Sequence, residues 1–183
     1  MSHTSSSRAL RFRSLLVAVC APSHSNRITG TVLLVVRIVL AWIFIYYGAG
    51  KLFGLFNGPG IHRTAVFFST TAHLHPGEFF AVLGGVIEFG GALALLVGLV
   101  SRLAGIALIG DQVMAIITVT GKHGINSLSA TPGYEFNLSL ATLALVVVAF
   151  GAGQYSIDSL VTRRVRMAAK SSDAVGARNP TAP

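Results

Sequence analysis

Four apolar runs of near-membrane length constrain this chain more than any other feature. They occupy residues 31–53, 79–100, 103–120 and 135–151. A helix needs about 20 apolar residues to cross the ~30 Å hydrocarbon core of a bilayer. Inside hydrocarbon each backbone N–H and C=O must find its partner within the structure, and for runs of this length that means helix. The reading is therefore all-α: a four-transmembrane-helix antiparallel bundle. Composition agrees. Of 183 residues, 52% are hydrophobic and 11% are charged, with mean hydropathy +0.69, whereas soluble domains carry roughly 25% charged residues. The fourth run is the shortest, so it stands nearly upright or thins the bilayer around it. Only Ser101 and Arg102 separate the second run from the third, which makes these two a hairpin.

Basic residues set the sidedness. Arg8, Arg11, Arg13, Arg27, Arg102, Arg163, Arg164, Arg166, Lys170 and Arg178 fall on one side of the spans, and Lys51, Arg63 and Lys122 on the other. Both termini are then cytoplasmic. Residues 1–27 read as a basic, disordered leader, 28–160 as the membrane domain, and 161–183 as a basic, disordered tail. The net charge of +8 is not interleaved with aromatics on a polar face, which excludes nucleic acid as the partner and leaves the lipid bilayer. The first outer loop is longer than a connection requires. Ile61, Val66, Phe67 and Phe68 recur in helical fashion among His62, Arg63 and Thr64, so a short amphipathic segment is expected there, lying in the interface.

The whole chain has 6 acidic side chains, and three of them stand in or at these runs. A charge near the bilayer centre costs at least ~2.5–3.5 kcal/mol and normally faces the bundle interior with a partner. From the ~1.5 Å rise per residue, Arg37 and Asp111 lie roughly 9–12 Å in from the cytoplasmic ends of their helices and Glu88 roughly 16 Å. Lys51 and Glu135 both stand at the outer boundary. Two groups follow: an inner cluster of Arg37, Glu88 and Asp111, and an outer pair of Lys51 and Glu135. The residues one turn either side of Glu88 are Gly84, Gly85, Gly91 and Ala92, all small. Such a face admits another helix backbone closely, suits a homo-oligomer contact, or leaves a polar cavity around the carboxylate.

Several chemistries have no residues to carry them. A single cysteine, Cys20, gives neither a disulfide nor a C-x-x-C redox or zinc arrangement. All six histidines lie outside the spans, so haem between the helices lacks its usual ligands. His62, His73 and His75 are too loosely spaced, and without a carboxylate in their loop, to make a metal site. Phosphate-binding glycine loops and nucleophile elbows are absent.

Four ordered stretches carry a family resemblance over residues 28–160. These are Arg37 followed by Gly48, Gly50 and Lys51; Glu88 with Gly90, Gly91 and Ala92 and then Leu96 to Arg102; Met114, Ala115 and His123; and Gly133 to Glu135 with Gly151 to Asp158. In residue type and spacing the set resembles the DoxX family of small bacterial membrane proteins. The longer leader, the tail and the polar pair Asp111 and Gln112 depart from the family pattern. The resemblance implies a four-helix protein of the bacterial inner membrane. It also implies an accessory or anchoring subunit of a redox or oxidative-stress complex, with redox-enzyme partner proteins, rather than a self-sufficient enzyme. A relative of the family is the quinone-reducing thiosulfate oxidoreductase, so a quinone is the cofactor the resemblance admits. A small-solute or proton permeation unit, lined by the same charges, is the remaining alternative.

Overall fold

A computed structural model describes residues 27–126, 128 and 130–178, with side chains through Ala168. The expected leader, apart from Arg27, lies outside the described residues. Among the described residues the structure is helical throughout, with no strand. The elements are α1 (Arg27–Phe53), α2 (Gly60–Thr70), α3 (Gly77–Val97), α4 (Ser101–Ala115), α5 (Glu135–Phe150) and α6 (Ile157–Arg178). A wide π-helical turn, Ile116–Thr120, and a tight turn, Gly121–His123, prolong α4.

Among the described residues, three stretches are long and apolar enough to cross a membrane: Arg27–Phe53, Gly77–Val97 and Ser101–His123. α5 is equally apolar but has 16 residues, which span about 24 Å at the helical rise. α1 packs along α3, α4 along α5, and α2 against α3. The outward faces keep their large apolar side chains exposed, Trp42 at 76% and Ile117 at 73% among them. In water that would be a severe liability; facing lipid it is the expected finish.

Small residues set how closely the helices approach. A Cβ on Gly48 would stand 2.6 Å from the Phe89 backbone nitrogen and 3.0 Å from Glu88 Cβ. Only glycine lets α1 lie this near α3. Leu40, Ala41, Phe44, Ala92, Leu95, Leu108, Leu140, Ala144 and Val147 form the apolar core beside that contact. Chain order along these antiparallel helices puts Arg37 on one side of the core and Lys51, Glu88 and Asp111 on the other.

Two expectations need correction. The hairpin turn between α3 and α4 is Gly98 to Val100, and Ser101 already begins α4. Gly98 closes α3 in the left-handed region at φ 70°, with its N–H on the Leu95 carbonyl and the Leu99 N–H on Ala94. The chain beyond residue 160 is not irregular as far as it is described, because α6 runs on to Arg178. Ser156 caps α6 by accepting the Ser159 N–H at 3.1 Å, and Arg, Met and Ala are all good helix formers.

The expected amphipathic segment is α2, but its faces differ from the pattern read in sequence. Thr64 and Ala65 are buried, while Val66 and Phe67 are half exposed. The Thr64 hydroxyl satisfies itself on the Gly60 carbonyl at 2.7 Å, which lets a polar residue face inward. The helix lies against α3 rather than being held by lipid alone.

Candidate functional site

Arg37 stands apart from Glu88 and Asp111, and the charge near it is Asp158. Its guanidinium is 1% exposed and donates four hydrogen bonds, all to backbone carbonyls. Nε reaches Leu95 at 2.7 Å, one terminal nitrogen reaches Ala152 at 2.8 Å and Tyr155 at 2.9 Å, and the other reaches Leu96 at 2.9 Å. The Leu95 and Leu96 carbonyls lie in the last turn of α3, where the negative end of the helix dipole favours a cation, and Leu95 also accepts the Gly98 N–H. Asp158 complements it across the hairpin: its carboxylate accepts the Val100 N–H at 2.8 Å and the Ser101 N–H at 3.0 Å. These are the free donors that begin α4. Val100 is thereby held at φ 47°, an unfavourable backbone for a β-branched residue. Gly98 has a second reason to be glycine here, since a Cβ would lie 2.5 Å from the Arg37 guanidinium. Arg37 and Asp158 therefore staple α1, the α3–α4 hairpin and the start of α6 together.

The other charges gather on the far side of the apolar core. Lys51 Nζ donates to Glu88 Oε1 at 2.8 Å. Asp111 interacts electrostatically with both Glu88 and Lys51. From its other side Asp111 Oδ2 accepts the Gln112 amide at 2.9 Å; Gln112 Oε1 accepts the Asn137 amide at 2.8 Å; and Asn137 Oδ1 accepts the Thr120 hydroxyl at 3.2 Å. The sense of these bonds is dictated by Asp111. As a carboxylate it only accepts, so each amide must turn its NH₂ toward it and its oxygen away. The relay runs across α5 and α4 toward the carboxyl groups, while Lys51 approaches them from α1.

The inner cluster and outer pair expected from sequence are thus regrouped. Arg37 is separate from Asp111 and Glu88, and Lys51 pairs with Glu88 instead of Glu135. Depth along a helix gives height but not direction. Gly48, one turn before Lys51, brings α1 onto α3, and that approach selects Glu88. Glu135 opens α5, with its N–H on the Ile125 carbonyl at 3.1 Å. Its neighbours Phe136 and Asn137 line a cavity shared with Glu88 and Asp111.

These groups border a cavity of about 890 Å³. Lys51, Glu88, Asp111, Gln112 and Asn137 supply its polar part, and Phe44, Phe68, Phe80, Ile87, Phe136 and Leu140 its apolar wall. α2 covers it with Arg63, Thr64 and Phe67, and the segment after α4 with Pro132 and Gly133. Glu88 is 4% exposed, and its Oε2 has no hydrogen-bond donor among the described residues. Lys51 spends one of three ammonium donors on Glu88. The site therefore offers unfilled ammonium donors beside two carboxyl groups, Glu88 and Asp111, that interact with each other. The wide turn at Ile116–Thr120 swings Thr120 to Asn137, a use of π-helical geometry typical of functional sites.

Asn137, Thr120 and Asp158 escape a search built on charges in apolar runs. Asn137 is an uncharged amide one turn into an apolar helix, and any polar group there has to find a partner. That was the available signal.

Comparison with known proteins agrees with the residues. The family model DoxX matches residues 32–121, from α1 to the end of the α4 extension. The inner membrane protein YqjF of Escherichia coli (strain K12) is 30% identical over 133 residues, covering 72% of this chain and 92% of that protein. No solved structure matches. This chain, an all-helical multi-pass membrane protein, belongs to the DoxX family.

Proposed function

We propose that this chain is the membrane subunit of a redox complex and that its cavity receives the headgroup of a lipid-soluble quinone. α1, α3, α4 and α5 are the four spans of this reading, with both termini cytoplasmic in the bacterial inner membrane. Its support is the basic bias of one side and the location named for the relative YqjF. The observation that carries the binding role is the cavity itself, together with the buried, donor-less Oε2 of Glu88 on its wall.

The fit is chemical. Ligand pockets measure about 300–1,000 Å³, mostly apolar, with a few convergent polar groups that fix orientation. A quinone ring with its prenyl tail is apolar with oxygens at two edges. Aromatic walls suit the ring, Lys51 has donors for a carbonyl oxygen, and Glu88 Oε2 accepts from a hydroxyl in the reduced form. When bound, a quinone takes electrons from a redox partner protein, in keeping with a subunit that supplies binding and orientation. The separate polar ends also keep the charged groups away from lipid.

Gly110 gives a clean test. It borders the cavity at an exposed position, and a Cβ there meets nothing within 4 Å, so Gly110→Phe adds bulk at the cavity rim without a clash. A short-tailed quinone titrated into purified protein is expected to bind, and Gly110→Phe to abolish binding while the unfolding midpoint stays put. Failure of the unmodified protein to bind any quinone would remove the reading. Co-purification of a redox protein from gently solubilised membranes tests the complex separately.

A further inference from the structure

α6 carries a surface that the cavity does not explain. Its first turns are anchored: Asp158, Ser159 and Thr162 are buried against the α3–α4 hairpin. Asp158 holds the start of α4 and the Asp158 N–H donates to the Gly98 carbonyl at 2.9 Å. The rest of the circumference is open. Ile157 is 41% exposed, Leu160 57% and Met167 64%. At 100° per residue these three fall within one third of the helix circumference. Arg164 is exposed within that face and Arg163 at its edge, while Arg166 is exposed on the flank away from it.

We infer that this face of α6 is a binding site for anionic phospholipid headgroups, holding the helix along the surface of the bilayer. A helix projecting into water would leave Leu160 and Met167 exposed to no purpose. A helix lying in the interface buries them at the acyl boundary. Charge complementarity names the occupant, because the guanidinium groups of Arg163 and Arg164, with no exposed acidic residue between residues 157 and 168, match lipid phosphates. Arg164, near the middle of the apolar face, lays its methylenes along the acyl region and lifts its head to the phosphates. The anchor places the helix correctly, since the hairpin it grips joins two of the membrane-length helices. This site stands whether or not the cavity takes a quinone.

The test uses the full chain in nanodiscs, with Cys20→Ser and a spin label at Met167→Cys. In phosphatidylcholine discs containing phosphatidylglycerol, the label is expected to be open to oxygen and closed to a water-soluble relaxation agent. In pure phosphatidylcholine discs, or with Arg163→Gln, Arg164→Gln and Arg166→Gln together, it is expected to return to water. Each arginine near an anionic surface contributes about fivefold, so the docked population should fall on the order of 100-fold. Trypsin cleavage of the unlabelled chain after Arg163 and Arg164 should be slower in anionic discs and recover with salt. A label equally aqueous in both lipids would overturn the inference. So would a label shielded only on addition of an acidic partner protein.

Discussion

Arg37 and Glu88 are both charged groups buried among apolar helices, and the protein treats them in opposite ways. Every hydrogen bond of Arg37 ends on a backbone carbonyl, and Arg37 is not among the residues that line the cavity beside Glu88. Glu88 has one oxygen on Lys51 and the other on no donor, next to a void of about 890 Å³. Closure on one side and open valence on the other separate architecture from site. Burial alone does not, since the two residues differ by only a few per cent in exposure.

The largest break in this comparison should come from Arg37→Ala. It strands the Leu96, Ala152 and Tyr155 carbonyls and takes one of two donors from Leu95, at about 1–3 kcal/mol for each buried acceptor left unsatisfied. Little folded protein should survive extraction in mild detergent, as size-exclusion chromatography would show. Arg37→Lys keeps the charge but cannot reach all four carbonyls, so it should recover only part of the yield.

Gly48→Ala probes the link between packing and site. Its Cβ would press on the Phe89 backbone, at a cost of roughly 1–3 kcal/mol. Because it also moves α1 off α3, Lys51 should lose Glu88 and quinone affinity should fall with stability. Denaturant unfolding and ligand titration on the same sample would show both. Stability loss with intact affinity would uncouple them.

Asp158→Ala sharpens the closed side of the comparison. The Val100 and Ser101 N–H groups lose their acceptor, for about 1–2 kcal/mol as with other helix N-caps. The unfolding midpoint should drop and quinone affinity should not. The smallest effect belongs to Asn137→Leu, which interrupts the relay to Asp111 at about 1 kcal/mol or less. A few-fold change in affinity with near-normal stability is the expected result, read by the same titration.

Much of the helical layout was readable in the chain because hydrocarbon permits so few forms. The apolar runs gave each long helix to within a few residues, and the residues that meet at the cavity wall include Lys51, Glu88 and Asp111, all visible as charges in apolar surroundings. Their pairing was not readable. Lys51 and Glu135 share a height, and so do Arg37 and Asp111, but which groups face each other depends on helix approach and rotation. Gly48 sets that approach, and nothing in a linear pattern says which partner helix it admits. Arg37 misled for a different reason. Its partners are carbonyls at helix ends, which exist in every sequence and mark no position. Asn137 and Thr120 were hidden because neither is charged. Residues 161–183 read as a basic, disordered tail, yet up to Arg178 they continue α6, which Ser156 caps and whose arginine-rich turns favour helix.

Glu88→Gln tests the division between architecture and site most directly. The amide is nearly isosteric, keeps an oxygen for Lys51 and removes the carboxylate from the cavity wall. Unfolding free energy and short-tailed quinone affinity should be measured side by side. The account predicts stability within about 1 kcal/mol of the unmodified chain and affinity lower by roughly tenfold or more, the scale of one hydrogen bond to a charged group. Collapse of the fold with no selective loss of binding would place Glu88 beside Arg37 as architecture and contradict it.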